Sequence, residues 1–570
     1  MKHLYQCLLR QRGTAVGYLL LGVTTAFLNN FCARYFQRVI DGFTDGALTA
    51  GILVLYGGAL TALCLLNYLD NLPAGRLEHG IYLDLKVRAL QKMRTLDYAV
   101  YRTLGTGQLV QRIENGAAAG KNMLFGFWFE LARSLAPSVL FSMLFIWQLS
   151  PAVMLVILGG YAVVFLITHL LLRALYRIKE RILTNEEQLN HTLVRGFMEL
   201  VVFRLYKRFG REIRRAEEAG REIVDAKVKM TLIHEAFFTL FALLVIGIKL
   251  AILVYGWTSG ALTIGQVVAL LSLADYAYTP IAIFNVLYVQ YKLDRTAFDR
   301  FTGFLDAPDD PQLDAGAPLE GLAGEIECRS LRFDYEGRPI LSDFCLRIAP
   351  GERIALAGAS GAGKSTLVGL LTGLLKPTAG QILVDGKDLR GVRLNSYYDC
   401  IAYVPQDAPI FDGTLRENLA FDRQEPDEAL LHALEQAGLG PLYRTLPAGL
   451  ETPLGERGVR LSGGERQRLA LARLWFSEAG LILLDEATSA LDAETERLVL
   501  TRLFKRLEGR TLLVIAHRLT ALRSLDRFVV LRNGAVAAQG RWETLLDGSA
   551  DFRRLVADGA RAPGGREERP

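Results

Sequence analysis

A glycine-rich segment, Gly358-Ala-Ser-Gly-Ala-Gly-Lys-Ser365, has the residue types and spacing of a phosphate-binding loop. It follows the apolar run 353–357 and leads into a helical pattern that starts at Thr366. Its glycines let successive backbone N–H groups point into one concavity at a helix N-terminus, where partial positive charge favours phosphate oxygens. The spacing therefore predicts a nucleotide site in which Lys364 reaches the β- and γ-phosphates and Ser365 binds Mg²⁺.

Two carboxylates follow another apolar run further along the chain. Residues 481–484 predict a buried strand, and Asp485 and Glu486 come directly after it. Such a pair beside a phosphate loop suits ATP hydrolysis, because Asp485 can hold Mg²⁺ and Glu486 can polarise a water for attack on the γ-phosphate. Adjacent acids at this position could instead cap a helix N-terminus, which is the alternative interpretation.

Further motifs make the chain resemble the ATP-binding cassette (ABC) family over nearly its whole length. They are Tyr-Val-Pro-Gln-Asp at 403–407, Leu-Ser-Gly-Gly-Glu at 461–465, Ser-Ala-Leu-Asp at 489–492, and His517 after the apolar run 511–516. The resemblance implies that Gln406 contacts Mg²⁺ and the attacking water, and that His517 contacts the γ-phosphate. An imidazole suits this contact because it can donate a hydrogen bond whether neutral or protonated. The implied catalytic residues are therefore Glu486, His517 and Gln406.

The resemblance also assigns residues that bind the nucleotide. It implies that the signature motif closes over ATP bound to the opposite cassette, and that Tyr335 stacks on the adenine, with Phe333 as the alternative ring. No cassette motif departs from the family pattern, so a competent ATPase with ATP and Mg²⁺ is expected. The predicted ATP-binding residues are Tyr335, Gly358, Ala359, Ser360, Gly361, Ala362, Gly363, Lys364, Ser365 and Thr366. The signature residues are Leu461, Ser462, Gly463, Gly464 and Glu465, the D-loop residues are Ser489, Ala490, Leu491 and Asp492, and the Mg²⁺ ligands are Ser365, Gln406 and Asp485.

The composition favours a membrane protein with more than one domain. The chain has 570 residues, too many for one hydrophobic core, and 51% of them are hydrophobic. A net charge of +5 does not indicate nucleic acid, and no nucleic-acid partner is expected. The 6 cysteines show neither C-x-x-C spacing nor a paired framework, which predicts reduced or buried thiols.

Six apolar stretches in the first half are each long enough to span about 30 Å of hydrocarbon. They lie near residues 14–36, 51–72, 127–149, 151–173, 234–256 and 263–289. A buried helical bundle would explain any one of them, but six in series favour membrane insertion. The first stretch is long and has no clear cleavage site after it, so no cleavable signal peptide is expected.

The distribution of Lys and Arg predicts the orientation in the membrane. Residues 173–229 contain 14 of them, whereas the short segments 37–50, 148–151 and 257–262 contain only Arg38. The positive-inside rule then places the long loops, the N-terminus and the nucleotide-binding domain in the cytoplasm. A multi-pass protein of the inner (plasma) membrane is predicted.

A segment rich in Pro, Asp and Gly near residue 310 predicts the domain boundary. We expect a transmembrane domain over 1–310, a linker over 311–324, an ABC nucleotide-binding domain over 325–555 and a disordered tail over 556–570. The predicted fold class is an all-α six-helix transmembrane domain fused to an α/β P-loop NTPase domain, with a mainly parallel sheet and a helical subdomain. One copy of each domain makes a half-transporter, so a second subunit, identical or different, is implied.

The layout of the first half resembles the exporter-type (type IV) transmembrane domain of the same family. Residues 97–101, with 106–107 and 112–115, resemble its first coupling region, and a second coupling helix is expected near 199–209. Residues 452–458 match the exporter-specific X-loop. Without this resemblance, the two coupling segments could instead be amphipathic surface helices.

Charged and aromatic residues inside the apolar stretches are candidates for a substrate pathway. A charge at mid-membrane costs about 2.5–3.5 kcal/mol, so such groups usually pair or line a water-filled cavity. We expect Lys249 and Asp275 to face the pathway, with Tyr276, Tyr278, Asn67 and Asp70 nearby. The alternative is that Lys249 snorkels outward and Asp275 caps a kink ahead of Pro280.

These observations together predict an ATP-driven transporter that works as a dimer by alternating access and exports a peptide, a lipid or an amphipathic small molecule. An importer with the same fold, as in siderophore uptake, and a cassette ATPase without transport are the alternatives. The expected partners are the second subunit, the lipid bilayer and the transported substrate.

Overall fold

The chain folds into two compact units. The computed structural model describes residues 1–104, 106–335, 337–421, 423–455, 458, 461–516 and 518–561. One unit consists of Met1–Arg94 and Leu104–Ala307, and the other of Thr95–Thr103 and the chain from Pro308 onward. The second unit thus includes a short segment that lies inside the predicted domain 1–310.

The first unit is built from long helices. Up to residue 305 the helices are α1 (Lys2–Arg10), α2 (Arg12–Thr44), α3 (Ala50–Thr95), α4 (Tyr98–Leu104), α5 (Thr106–Lys121), α6 (Ala136–Leu149), α7 (Pro151–Met198), α8 (Leu200–Leu205), α9 (Phe209–Ser259) and α10 (Ile264–Leu305). Two π-helical stretches, Asn122–Phe129 and Leu131–Leu135, lead from α5 to α6. A capping box at Thr263 and Gln266 fixes the start of α10.

The six predicted apolar spans fall on these helices. In the described part of the chain, five helices are long and apolar enough to cross a membrane: α2, α3, Leu109–Leu149, α9 and α10. Within α7, the described apolar stretch is Pro151–Val164. Only 6% of the apolar window of α3 is buried inside the structure, so most of that surface is open to lipid or to another subunit.

The second unit contains two sheets with helices packed around them. The strands are β1 (Ile326–Tyr335), β2 (Arg338–Ile348), β3 (Arg353–Gly358), β4 (Ala379–Val384), β5 (Lys387–Asp388), β6 (Ile401–Val404), β7 (Leu481–Asp485), β8 (Thr511–Ile515), β9 (Arg527–Arg532) and β10 (Ala535–Gly540). The helices are α11 (Lys364–Leu371), α12 (Leu394–Tyr398), α13 (Leu415–Ala420), α14 (Asp427–Gln436), α15 (Gly440–Thr445), α16 (Gly463–Ala472), α17 (Ala493–Arg506), α18 (Trp542–Gly548) and α19 (Ala550–Arg561).

The larger sheet has the strand order β10-β9-β3-β8-β7-β6, and all its pairings are parallel except that of β10 with β9. Every residue of β7 and β8 is buried, as expected for strands covered on both faces. This confirms the predicted parallel α/β core. The smaller sheet, β2-β1-β4-β5, is antiparallel and was not predicted.

The predicted helical subdomain is also present. Helices α13 to α16 share a buried apolar cluster that includes Leu415, Leu430, Leu434 and Leu469. The signature motif leads into α16, so this subdomain positions the signature relative to the sheet.

The last described helix extends into the predicted tail 556–570. Residues 556–561 belong to α19, and only 562–570 lie outside the described residues. Helix α19 is anchored by Phe552, which is fully buried against Phe528 and Trp542 with ring centroids 5.5 and 5.3 Å apart. One aromatic anchor outweighs the polar composition that suggested disorder.

Candidate functional site

The phosphate-binding loop joins β3 to α11 as the sequence predicts. Gly361 and Gly363 have φ values of +80° and +101°, a region that glycine adopts without steric cost. A Cβ at Gly363 would lie 2.9 Å from Leu341 Cδ2, so a larger residue would also collide there. The loop therefore curls tightly and leads into the N-terminus of α11, which favours anions.

Lys364 is held inside this loop. Its Nζ donates hydrogen bonds to the carbonyl oxygens of Gly358, at 2.8 Å, and Ala359, at 3.1 Å. Burial lowers the pKa of Lys364, while the charges of Glu486 and Asp485 oppose that shift. The side chain thus places a cation where the oxygens of a phosphate can replace the two carbonyls.

Asp485 lies at the end of β7, next to the start of α11. Its carboxylate interacts with the nearby Ser365 hydroxyl, and only 7% of the residue is exposed. Burial, followed by the charge of Glu486, raises the pKa of Asp485, and Lys364 and the Ser365 hydroxyl oppose the shift. A carboxylate and a hydroxyl side by side are oxygen ligands of the type that Mg²⁺ prefers, so the residues fit a bound Mg²⁺.

The described residues contain no group of three or more His, Cys, Asp or Glu side chains that could hold a metal alone. Mg²⁺ at this site would therefore need phosphate oxygens or waters in addition to Ser365 and Asp485. Gln406 is exposed, and its predicted contact with Mg²⁺ stays a prediction.

Glu486 occupies a strained turn directly after β7. Its φ is +50°, which costs a residue with a side chain about 1–2 kcal/mol. Two backbone hydrogen bonds stabilise the turn: Glu486 N–H donates to Ile515 O at 2.9 Å, and Ser489 N–H donates to Glu486 O at 3.1 Å. The turn therefore holds the backbone of Glu486 in a defined position beside Asp485. A candidate general base needs such a fixed position relative to the water that it activates.

The signature motif forms the N-terminus of α16. The Ser462 hydroxyl accepts from Glu465 N–H at 3.3 Å, and the Glu465 carboxylate accepts from Ser462 N–H at 2.7 Å, which completes a capping box. A Cβ at Gly464 would lie 3.2 Å from the carbonyl oxygen of Ala490, so the signature packs closely on the D-loop.

The D-loop follows the turn at Glu486. It ends where Asp492 caps α17 by accepting from Thr495 N–H at 2.9 Å, and these hydrogen bonds lower the pKa of Asp492. The carbonyl of Leu491 accepts from the Arg518 guanidinium at 2.7 Å. The predicted D-loop is thus fixed at its C-terminal end by a helix cap and by an arginine.

Tyr335 is the better candidate of the two rings proposed for adenine. Phe333 is buried in the core, whereas Tyr335 is half-buried at the end of β1 and meets Phe333 edge-on at 4.8 Å. The Arg102 guanidinium lies 4.6 Å from the centroid of the Tyr335 ring and also donates to its hydroxyl. Stacking of Tyr335 on adenine stays a prediction.

Two predicted elements fall wholly or partly outside the described residues. His517 lies there, and so do residues 456–457 of the predicted X-loop. No structural role is assigned to them.

The predicted pathway residues divide into two kinds. Lys249 Nζ on α9 lies 2.7 Å from one Asp275 oxygen on α10 and 2.8 Å from the other, and their side chains are 33% and 50% exposed. Tyr276 is half-buried. The structure therefore joins Lys249 and Asp275, whose role in transport stays a prediction.

Tyr278 requires a correction. It is 1% exposed, its hydroxyl donates to Ile157 O at 2.7 Å, and its ring packs edge-on against Tyr161 at 5.0 Å. A fully buried ring that bonds a neighbouring helix is part of the bundle core, so Tyr278 does not line a pathway in this structure.

The predicted coupling segments differ in their surroundings. The segment Thr95–Thr103 belongs to the nucleotide-binding unit, where Leu96 forms a bridge with Asp309 and Tyr98 packs on the core. The second segment contains α8, where Phe203 is buried while Leu205 and Tyr206 are strongly exposed. These apolar side chains are available for a docking contact.

Sequence reasoning missed two residues that contact the predicted site. Arg102 lies on the Tyr335 ring. Gln467 on α16 is hydrogen-bonded to the carbonyl of Gln406, in the motif 403–407 that is called the Q-loop in the ABC family, and to the D-loop. Gln467 lies two residues after the signature, but nothing in the sequence distinguishes it from a surface residue of that helix. A contact between distant segments is needed to identify either one.

Comparisons with known proteins agree with this architecture. The family model described as "ABC transporter transmembrane region" matches residues 16–281, and the model described as "ABC transporter" matches residues 341–489. Among solved structures, a bacterial Atm1-family ABC exporter with ATP bound has a TM-score of 0.83 and 26% identity, over 98% of this chain and 99% of that one.

Curated relatives include bacterial proteins named ATP-dependent lipid A-core flippase. That of Burkholderia orbicola is 34% identical over 491 residues, which cover 84% of this chain and 81% of the relative. That of Neisseria meningitidis serogroup B is 37% identical over 362 residues, and the match spans 62% of this chain and 58% of the relative.

Proposed function

Because this chain belongs to the ABC transporter family, we propose that it is a half-transporter that couples ATP hydrolysis to the export of an amphipathic molecule. The observation that carries the proposal is the arrangement of Lys364, Asp485 and Glu486 around a phosphate-binding loop, in one chain with a series of apolar helices. Neither part alone would support transport driven by ATP.

The residues divide the chemistry between them. Lys364 and the backbone N–H groups of the loop bind the phosphates of ATP. Bound Mg²⁺, held by Ser365 and Asp485, would neutralise charge on the phosphate oxygens. Glu486 orients the attacking water and takes its proton, and the strained turn fixes its backbone before the reaction begins.

The working molecule is proposed to be a dimer. The signature residues Ser462, Gly463 and Gly464 would close over the ATP bound to the loop of a second subunit, as the family resemblance implies. Closure is favoured because ATP binds the closed state more tightly, which shifts the population of transmembrane conformations. The exposed apolar surface of α3 is open to lipid or to such a second subunit.

We place the protein in the bacterial inner membrane with both the N-terminus and the nucleotide-binding unit in the cytoplasm. The 14 Lys and Arg residues between 173 and 229 support this orientation. The relatives named as flippases and exporters support export rather than uptake, and they favour a lipid among the predicted substrate classes.

ATPase activity is the first test. Wild-type protein and Glu486→Gln are purified in lipid nanodiscs, and hydrolysis is measured with and without candidate lipids, peptides and drug-like cations. We expect the mutation to lower kcat by about a thousandfold or more, because the base is removed. Glu478→Gln, an exposed carboxylate before β7, is the matched control and should behave like wild type. Equal activity in Glu486→Gln and wild type would overturn the proposal.

The direction of transport needs a separate measurement. Inverted and right-side-out vesicles are loaded with ATP on the cytoplasmic face, and movement of a fluorescent lipid analogue is followed in each. Export predicts movement away from the cytoplasmic leaflet only. Movement toward the cytoplasmic leaflet would instead support an importer.

The pair Lys249 and Asp275 offers a test of the pathway. Lys249→Ala and Asp275→Ala should each reduce the stimulation of ATPase activity by substrate while leaving the basal rate unchanged, because the pair is remote in sequence from the catalytic motifs. Unchanged stimulation and transport in both variants would remove these residues from the pathway.

A further inference from the structure

We propose that Gln467 is a positioning residue that ties the Q-loop and the D-loop to the signature helix, so that movement of the signature alters the alignment of Glu486. The inference rests on the proposed function, since it concerns the control of the same hydrolysis. Gln467 lies on α16 and is only 6% exposed. It does not belong to any of the motifs predicted from the sequence.

The side-chain amide of Gln467 has three partners from two distant segments. Its Oε1 accepts from Ala490 N–H at 2.8 Å, and its Nε2 donates to Ser489 Oγ at 2.9 Å and to the Gln406 carbonyl at 3.4 Å. The orientation of the amide follows from these partners, because a backbone N–H only donates and a carbonyl only accepts. A hydrocarbon or a carboxylate at this position could not satisfy all three.

The D-loop contact reaches the candidate base through one further hydrogen bond. Ser489 N–H donates to the carbonyl of Glu486 at 3.1 Å, which closes the strained turn that begins at Glu486. Displacement of Ser489 would therefore change the turn, and with it the direction of the Glu486 carboxylate. Because a left-handed non-glycine conformation persists only where its surroundings enforce it, this turn is sensitive to the loss of such a contact.

The signature helix supplies the other end of the linkage. Gln467 lies one turn after Gly463, and Gly464 packs on the carbonyl of Ala490. A shift of α16 would thus be transmitted to the D-loop by the amide as well as by backbone packing. The same amide touches the backbone of Gln406, so the Q-loop is held to the same point.

Loss of the Gln467 hydrogen bonds is expected to change the rate of ATP hydrolysis but not the affinity for the nucleotide. Gln467 contacts only the backbone of Gln406, and within the described part of the chain its side chain forms no hydrogen bond to Lys364 or to the phosphate-binding loop. Loss of the amide should therefore misalign Glu486 while leaving the phosphate cradle intact. A residue that served only to pack the core would lower stability, affinity and rate together.

The test uses full-length Gln467→Leu and Gln467→Glu in lipid nanodiscs. Affinity for a fluorescent ATP analogue, kcat for ATP hydrolysis and the thermal unfolding temperature are measured for each. We expect kcat to fall about tenfold or more, with nucleotide affinity within about twofold of wild type. The reason is that Gln467→Leu removes all three hydrogen bonds to the D-loop and to the Gln406 carbonyl, and none at the phosphate-binding loop. Gln436→Leu, a half-buried glutamine at the end of α14, is the matched control.

A double-mutant cycle with Ser489→Ala sharpens the result. If both residues act through the Gln467–Ser489 hydrogen bond, combining Gln467→Leu with Ser489→Ala should lower kcat little more than Gln467→Leu alone. If Gln467→Leu does not fold, Gln467→Glu, which has nearly the same shape, and Ser489→Ala carry the test.

Two outcomes would overturn the inference. One is a kcat equal to that of wild type in all the variants. The other is a parallel fall in kcat, nucleotide affinity and unfolding temperature, which would assign Gln467 a packing role. The control Glu486→Gln separates failure of this inference from failure of the proposed function. Hydrolysis that is lost in Glu486→Gln supports the proposed ATPase, whatever the Gln467 variants do. If the wild-type protein does not hydrolyse ATP, the proposed function itself is contradicted.

Discussion

The Asp485 carboxylate, which we propose binds Mg²⁺, is buried, and its burial would make Mg²⁺ binding sensitive to pH. Its raised pKa lets a proton compete with Mg²⁺ at a higher pH than it would at an exposed aspartate. We expect the Mg²⁺ concentration for half-maximal ATPase activity to rise as pH falls through that pKa. Titration of the hydrolysis rate with Mg²⁺ at a series of pH values measures this effect, and a requirement that stays constant across the series would contradict it.

The raised pKa of Asp485 also affects folding stability, which changes with pH in the direction opposite to Mg²⁺ affinity. Because the folded-state pKa of Asp485 is above the ordinary pKa of an aspartate, Asp485 contributes stability fully only below that ordinary pKa, and the contribution is lost as pH rises through the raised pKa. Asp485→Asn should therefore unfold at a higher temperature than wild type near neutral pH while losing most ATPase activity. Such a trade of stability for function is common where a charge is kept in a buried site.

Tyr278 provides a second prediction about a single side chain. Tyr278→Phe removes the hydroxyl that donates to Ile157 O at 2.7 Å and leaves the ring in place, so it should cost about 1 kcal/mol of stability. Thermal unfolding in detergent is the measurement, with Tyr276→Phe on the same helix as the comparison. Substrate stimulation of ATPase activity should not change in Tyr278→Phe. A selective loss of stimulation without a loss of stability would return Tyr278 to the pathway.

The elements around the nucleotide were predictable because their signals are local. Glycine spacing and an adjacent apolar run were enough to predict β3, the phosphate-binding loop and α11. The apolar run 481–484 was likewise enough to place Asp485 and Glu486 at the end of β7. The antiparallel sheet was missed because its strands carry no comparable motif. Burial of Tyr278 was missed because the faces of a helix with apolar residues all round can be told apart only by their neighbours.

The segment Thr95–Thr103 shows the same limit for a whole element. Its place in the nucleotide-binding unit depends on contacts such as the bridge between Leu96 and Asp309, which join residues far apart in the sequence. Chain order assigned it to the transmembrane domain. This segment also carries Arg102, whose guanidinium lies on the Tyr335 ring.

Arg102 is expected to compete with adenine for Tyr335. An exposed cation over a ring contributes about 0.5–1 kcal/mol, so Arg102→Ala should tighten ATP binding by about two- to fivefold if adenine uses the same face of the ring. Binding of a fluorescent ATP analogue measures the change, with Arg94→Ala, an exposed arginine on α3, as the control. Weaker ATP binding in Arg102→Ala would mean that the guanidinium supports the adenine instead of competing with it.

At the scale of the whole molecule, each chain carries one phosphate-binding loop and one signature motif on different parts of the same unit. If ATP is bound between the loop of one subunit and the signature of another, a complete site requires two chains, and both sites form in a single two-fold assembly. The transmembrane helices then respond to the pair of sites and not to one of them. Hydrolysis should therefore depend on the composition of the dimer.

Mixed dimers test this dependence. Wild-type and Glu486→Gln subunits with different affinity tags are co-expressed in equal amounts and purified together. If hydrolysis needs two intact subunits, random pairing leaves about a quarter of the wild-type specific activity, whereas independent subunits would leave about half. The same mixture made with Glu478→Gln should retain full activity. A value near half would show that each cassette turns over alone, and an inactive wild-type chain would point to a different protein as the second subunit.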